Sequence, residues 1–301
     1  MKNYRILTLL TAALLAITPC LLAQEPIRRE PVPLPSSELR KFHSKMMDQD
    51  FRIYVQLPLN YISDGSKKYP VLYVTDGNRS FPSYANISTI LGFPDTGFPQ
   101  VIVVGIAYDI GSMIDWALWR TRDLTPVTDE GTEQYWEGLL RGMSGDQSIE
   151  VATGGAPLFL DFICDELVPF IESGYPVEPG NRALGGYSYG GLFSLFAMFE
   201  RPEMFQRYFA GSPSIHYANR VMFEVEQAFS ETHTDLPARL FLTMGGLEDE
   251  SGINNMKKME ELLKSRNYPN LEVYSQIFEG EHHASAYAAS VMRAFMTLYG
   301  D

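Results

Sequence analysis

Short apolar runs rich in β-branched residues recur along this chain, and stretches of helical period fall between them. Phe51-Arg52-Ile53-Tyr54-Val55-Gln56-Leu57 alternates apolar and polar positions and predicts a half-exposed strand, stopped by Pro58. Val71-Leu72-Tyr73-Val74 and Val101-Ile102-Val103-Val104 are continuous apolar runs, which suit strands covered on both faces of a mostly parallel sheet. Leu240-Phe241-Leu242-Thr243-Met244 and Leu271-Glu272-Val273-Tyr274 repeat the signal. Helical spacing is found over Leu192–Phe199, over Asn254–Arg266 and from about Ala284 to Tyr299. The last places Tyr287, Val291, Phe295 and Leu298 on one stripe. Strands alternating with helices predict an α/β fold, a mostly parallel central sheet with helices on both faces.

Two regions break the pattern. Residues 109–150 fit the alternation poorly and hold all three tryptophans, Trp116, Trp119 and Trp136. A long aromatic connection between sheet strands predicts a lid-like insertion over the sheet's C-terminal edge. Its tryptophans either pin the insertion to the body or touch substrate. Residues 24–40 carry Pro26, Pro31, Pro33 and Pro35 and read as an extended linker. Before them, Lys2 and Arg5 precede an apolar run from Ile6 to Ala16, with small Ala23 beyond it. That is the pattern of a secretory signal peptide over residues 1–23, so a periplasmic or secreted location is expected. The hydrolytic or binding domain is then residues 41–301.

Composition narrows this picture. Of the two cysteines, Cys20 would leave with the leader, and Cys164 alone permits no intrachain disulfide. Stability must rest on the core, and the chain is long enough to build one large domain. The formal charge of −13 becomes two units more negative once the leader goes. Nucleic acid and an anionic membrane surface are therefore poor partners. No Cys/His cluster has metal-ligand spacing, so neither metal nor organic cofactor is expected.

The chemistry starts from Gly186-Tyr187-Ser188-Tyr189-Gly190, a G-x-S-x-G segment between a strand-like run and a helix-like run. A serine on such a turn is exposed above the sheet, beside the free N–H groups of a helix start. A serine hydroxyl needs a base, and His282 and His283 lie after the last predicted strand, where the order serine, acid, histidine requires one. Spacing does not choose between these two. His216 also follows Ser188 and is a candidate for the cleft wall. An acid that orients the histidine belongs after the penultimate strand, where Glu248, Asp249 and Glu250 stand in succession. An oxyanion hole needs two backbone N–H groups. Tyr189 supplies one, and the turn Thr75-Asp76-Gly77-Asn78 the other, with Asn78 preferred and Gly77 allowing close approach.

At these residues the chain resembles the esterase D-type family of α/β-hydrolases, and most of all its enterochelin (siderophore) esterase-like branch. The similarity spans nearly all of residues 42–300. It rests on Gly186–Phe193, on Leu72–Gly77 as the oxyanion strand and turn, on Arg120-Thr121-Arg122-Asp123-Leu124-Thr125-Pro126, on Ser212-Pro213-Ser214, and on Phe278-Glu279-Gly280-Glu281-His282-His283-Ala284-Ser285. The resemblance implies His283 rather than His282 as the base. It favours Glu248 as the acid, with Asp249 as the alternative. His216-Tyr217 depart from the aromatic residues that the family often shows after its SPS segment. The implied activity is that of a serine esterase working through an acyl-enzyme on a small-molecule or glycan ester. That substrate is a siderophore-type lactone or a feruloyl or acetyl glycan ester. An acyltransferase on the same machinery, or a silent siderophore- or glycan-binding protein, are the alternatives. Arg120, Arg122, Trp116 and Trp119 are the candidate substrate contacts. A guanidinium there either holds an anionic substrate or pairs with Asp123 or another acid, and the pairing is the stronger reading.

Overall fold

A computed structural model describes residues 31–300. The expected leader and most of the proline-rich arm lie outside the described residues. The compact unit that begins at Leu34 is built on one eight-stranded sheet, ordered β1-β2-β4-β3-β5-β6-β7-β8. Its strands are β1 (Ser37–Ser44), β2 (Gln49–Gln56), β3 (Tyr69–Val74), β4 (Ile102–Tyr108), β5 (Val177–Tyr187), β6 (Arg207–Gly211), β7 (Ala238–Gly245) and β8 (Leu271–Phe278). The pairs β1–β2 and β2–β4 are antiparallel, and every later pair is parallel. All residues of β3 and β4 are buried, as their continuous apolar runs require.

Between strands lie α1 (Gly77–Leu91), α2 (Met113–Asp123), α3 (Glu130–Ser144), α4 (Ala156–Asp161), a π-helical turn (Phe162–Leu167), α5 (Val168–Gly174), α6 (Tyr189–Glu200), α7 (Tyr217–Thr232), α8 (Glu250–Arg266) and α9 (Ala286–Tyr299). The two faces of the sheet carry separate cores. One packs Phe81 and Tyr84 of α1 against Val291, Phe295 and Leu298 of α9. The larger one gathers Phe159, Phe162, Phe193, Phe196 and Met222 from the helices of the opposite face. Helices on both faces of a largely parallel sheet give the expected α/β fold. No helix among the described residues is long and apolar enough to cross a membrane.

Two boundaries differ from the sequence reading. The arm expected over 24–40 does not reach residue 40, because Ser37–Arg40 pair with β2 in the register Ser37↔Gln56 to Arg40↔Ile53. An edge strand needs few apolar side chains, and Ser-Glu-Leu-Arg-Lys-Phe-His-Ser offers little apolar signal. The insertion expected over 109–150 does contain its own elements, α2 and α3, with a small apolar cluster of Ala117, Leu140, Ile149 and Val151. The connection from β4 to β5 then runs on through α4, the π turn and α5, which pack against the main core.

The strand order reverses direction at β3, with β4 on one side and β5 on the other. Crevices form at the carboxyl ends of strands at such a point. Thr75-Asp76 leave the end of β3 there, and Ser188 leaves the end of β5.

Candidate active site

Ser188 sits between β5 and α6 with φ 62° and ψ −119°. A non-glycine residue held there costs about 1–3 kcal/mol, so its surroundings must impose it. Ser188 N donates to Gly211 O at 2.8 Å, and Ser188 O accepts from Leu192 N at 3.0 Å. The glycines answer close contacts. A Cβ on Gly186 would come within 2.4 Å of the Gly190 backbone, and one on Gly191 within 2.7 Å of Gly211 O. The Ser188 hydroxyl makes no hydrogen bond to any described residue and lines a cleft of about 350 Å³.

His283 lines the same cleft, in the loop from β8 to α9. Its Nδ1 lies 2.6 Å from Glu248 Oε2. With Nδ1 donating to the carboxylate, Nε2 is left as the free nitrogen. Glu248 Oε1 accepts from Gly245 N at 2.7 Å and from the Ser212 hydroxyl at 2.6 Å. Burial alone would raise the Glu248 carboxyl. The donors from His283, Ser212 and Gly245 outweigh it and hold the group below the ordinary glutamate range. The loops carrying acid and base are packed backbone to backbone, since a Cβ on Gly245 would meet Glu281 O at 2.4 Å. Leu247 N donates to Glu281 O, and Gly246 N to Phe278 O.

Both choices that the sequence leaves open are separated by this geometry. Asp249 turns away and caps α8, accepting from Gly252 N at 3.2 Å. His282 offers its backbone, with N donating to Ser285 Oγ and O accepting from Ala286 N.

The turn after β3 is more mixed. Asp76 takes a left-handed conformation, φ 55°. The N–H groups of Asp76, Gly77 and Asn78, and that of Tyr189 at the start of α6, make no hydrogen bond to a described residue. The close approach at Gly77 is to β4, where a Cβ would meet Ile106 C at 2.8 Å. The Asn78 side chain is spent on the backbone of Tyr108, donating to its O and accepting from its N. Among these three residues Asp76 borders the cleft.

The candidate substrate contacts divide. Trp116 lines the cleft, and so does Arg120. Arg120 is nevertheless a buried residue in a two-pronged ion pair with Asp76, Nε to Oδ1 at 2.9 Å and Nη2 to Oδ2 at 3.0 Å. Its guanidinium lies over both Trp116 and Tyr189, 4.8 and 5.2 Å from the ring centroids. Arg122 is outside the cleft lining, bonded to Asp123 and Gln49 and stacked on Trp119. Trp119 packs against the core, and His216 is exposed away from the cleft lining. Arg122, Trp119 and His216 thus stand outside the cleft that Ser188 and His283 line. Trp136 reaches the site indirectly, donating to the Tyr189 hydroxyl at 3.1 Å.

Sequence reasoning missed Arg79. Its guanidinium also lies over the Trp116 ring, 4.9 Å from the centroid, and makes no ion pair with a described residue. Tyr84 and Tyr287 complete the wall. The Tyr84 hydroxyl is buried without a hydrogen-bond partner among the described residues. Arg79 stands one turn into α1 after Asp76, and no linear pattern brings it to a tryptophan on α2.

A serine on a sharp turn after the fifth strand, an acid after the seventh and a histidine after the eighth define an α/β-hydrolase, and the chain belongs to that fold's esterase D-type family. The family model described as "Putative esterase" matches residues 44–298, and the chain is an esterase of the enterochelin esterase-like branch. It is 30% identical over 268 residues to the ferri-bacillibactin esterase BesA of Bacillus subtilis (strain 168), covering 87% of this chain and 89% of that protein. The solved structure of the BES protein from Bacillus cereus superposes with a TM-score of 0.77 at 28% identity, covering 92% of this chain and 99% of that one. The siderophore hydrolase EstB from Aspergillus nidulans gives 0.72 at 27% identity, covering 91% and 98%.

Proposed function

We propose that this protein is an exported serine hydrolase that opens ester bonds of a siderophore-type lactone. The observation that carries the mechanism is the 2.6 Å His283–Glu248 contact beside an open Ser188 hydroxyl in one cleft. The substrate class rests on relatives that bear the names of siderophore esterases. The location rests on the leader pattern at residues 1–23.

In this reading Ser188 attacks the ester carbonyl while His283 Nε2 takes its proton. Glu248 holds the ring in the tautomer that leaves Nε2 basic and stabilises the imidazolium that forms. The Tyr189 N–H and an N–H of the turn after β3, where Asp76 and not Asn78 borders the cleft, receive the oxyanion. Each such donor contributes about 2.7–4 kcal/mol to the transition state. His283 then protonates the departing alcohol, and water, activated by the same histidine, releases the acyl group from Ser188. Trp116 and Arg79 form the rim against which an anionic aryl group of the substrate rests. Arg120 is already neutralised by Asp76 and keeps the rim in place.

The test is hydrolysis of a catecholate trilactone, followed by mass spectrometry, beside feruloyl and acetyl glycan esters. The trilactone should be opened fastest, and Ser188→Ala should abolish turnover. Faster release from a glycan ester would move the substrate class, and full activity in Ser188→Ala would remove the nucleophile. Export is checked by the N-terminus of the protein recovered outside the cytoplasm, expected at Gln24.

A further inference from the structure

The second donor to Glu248 leads into a closed circuit. The Ser212 hydroxyl donates to Glu248 Oε1 at 2.6 Å, and its oxygen lies 2.8 Å from the Tyr187 hydroxyl. Tyr187 in turn donates to the backbone carbonyl of His283 at 2.7 Å. The His283 ring returns to Glu248 at 2.6 Å. Four residues from the ends of β5 and β6, the loop after β7 and the loop after β8 are thus joined head to tail.

Counting protons shows how tightly the circuit is constrained. An ionised Glu248 only accepts, so it takes the single proton of Ser212. Tyr187 then has one proton for two acceptors, Ser212 Oγ and His283 O. Burial pushes the Tyr187 phenol up to about 12, so that proton stays on the ring oxygen at neutral pH. The ring itself has little room. A Cβ on Gly211 would come within 2.5 Å of Tyr187 Cδ2, and Tyr287 meets the ring edge-on at 5.1 Å. His283 is therefore held twice, by its backbone through Tyr187 and by its imidazole through Glu248.

We propose that Tyr187 and Ser212 are positioning residues that set the His283–Glu248 pair against Ser188. This rests on the reading of those three as the catalytic group. It assigns a role to the residue before the nucleophile and to the first serine of Ser212-Pro213-Ser214, beyond their packing.

Tyr187→Phe keeps the ring and removes the hydroxyl, and Ser212→Ala removes the donor to Glu248. On a short p-nitrophenyl ester each should lower kcat about tenfold with KM changed by less than about twofold. The double variant should fall only to about the level of the worse single, because either change already opens the circuit. Unaltered kcat in both singles, or a double loss equal to the product of the single losses, overturns the proposal. The His283 Nδ1 proton gives a second readout by NMR. It should be sharp in the parent and broadened by faster exchange in either variant, and an unchanged resonance in both overturns the proposal. That resonance and the rate of fluorophosphonate labelling of Ser188 need no natural substrate. A parent inactive towards every ester would defeat the functional reading while leaving the circuit to be judged on its own. Should Ser212→Ala fail to fold, Tyr187→Phe with the resonance decides.

Discussion

Glu248 and Asp123 are both carboxylates largely removed from water, and the protein treats them in opposite ways. Glu248, in the loop after β7, receives three donors, from His283, Ser212 and Gly245. Asp123, at the end of α2, receives Arg122 Nε on one oxygen, and its Oδ2 has no partner among the described residues. Burial raises both, but only at Glu248 do the donors outweigh it. Asp123 is pushed up to about 6, while Glu248 lies below its ordinary range. Burial sets the cost of a charge, and the number of donors decides whether the charge survives. The loop that carries Glu248 meets that requirement. Helix α2 meets it only in part, so the Asp123 charge is carried at a cost above about pH 6.

The sharpest way to break this comparison is to remove the charge that is held. Glu248→Gln should lower kcat on the order of 10³- to 10⁴-fold, because the imidazole loses the partner that fixes its tautomer. Asp249→Asn should change kcat little and leave stability nearly unaltered, because an asparagine Oδ1 can accept from Gly252 N as the carboxylate does. If Asp249→Asn is the one that loses turnover, the assignment of the acid is wrong. Next in size is the ion pair that ties α2 to the turn after β3. Arg120→Ala strands Asp76 in a buried site and should cost about 3–5 kcal/mol, measured by chemical denaturation. An unchanged midpoint would show that α2 is held by its apolar contacts alone.

Arg79→Ala should act on binding and not on folding. KM for an anionic substrate should rise about tenfold with kcat little altered, and KM for a neutral p-nitrophenyl ester should not move. Equal changes for both substrates would remove charge recognition from Arg79.

The smallest effect is expected at Asp123. Its folded-state pKa is raised, so the folded chain keeps that proton to higher pH than the unfolded chain does. Stability from this group is greatest below about pH 4 and falls as pH rises towards about 6, after which the cost is constant. Glu248 has the reverse sign: its contribution is full above the ordinary glutamate range and is lost as pH falls through its depressed folded pKa. Asp123→Asn should therefore flatten Tm between about pH 4 and 6 and raise it by about 2–4 °C at neutral pH. A fall at neutral pH would mean that the Arg122 contact outweighs the burial cost.

Much of the scaffold was legible because its signals are local. The run Val71–Val74 and all but the first residue of Val101–Val104 lie within fully buried strands, and Leu192–Phe199 lies within α6. The edge strand β1 was not legible, since an edge needs no continuous apolar face. Nor was the length of the β4–β5 connection, whose last helices join the main core rather than a separate lid. In the site, Ser188 could be read from two glycines and a strand-to-helix change. For Arg122 the sequence offered substrate contact or pairing with Asp123 and favoured the pairing, which is the contact the fold makes, with Gln49 and Trp119 as further neighbours.

By itself the sequence determined the α/β alternation, the serine on a strand-to-helix turn and the chain order of Ser188, the acids after β7 and the histidines after β8, all properties of short segments whose periodicity or glycine placement admits one backbone path. Only the tertiary structure decided that Glu248 and not Asp249 faces His283, that Arg120 is spent on Asp76 while Arg79 has no ion-pair partner among the described residues, and that Tyr187 and Ser212 close a circuit around His283. Those outcomes depend on which loops meet at the carboxyl ends of β3, β5, β7 and β8. A hydrogen bond of 2.6 Å between residues 35 positions apart has no counterpart in one dimension.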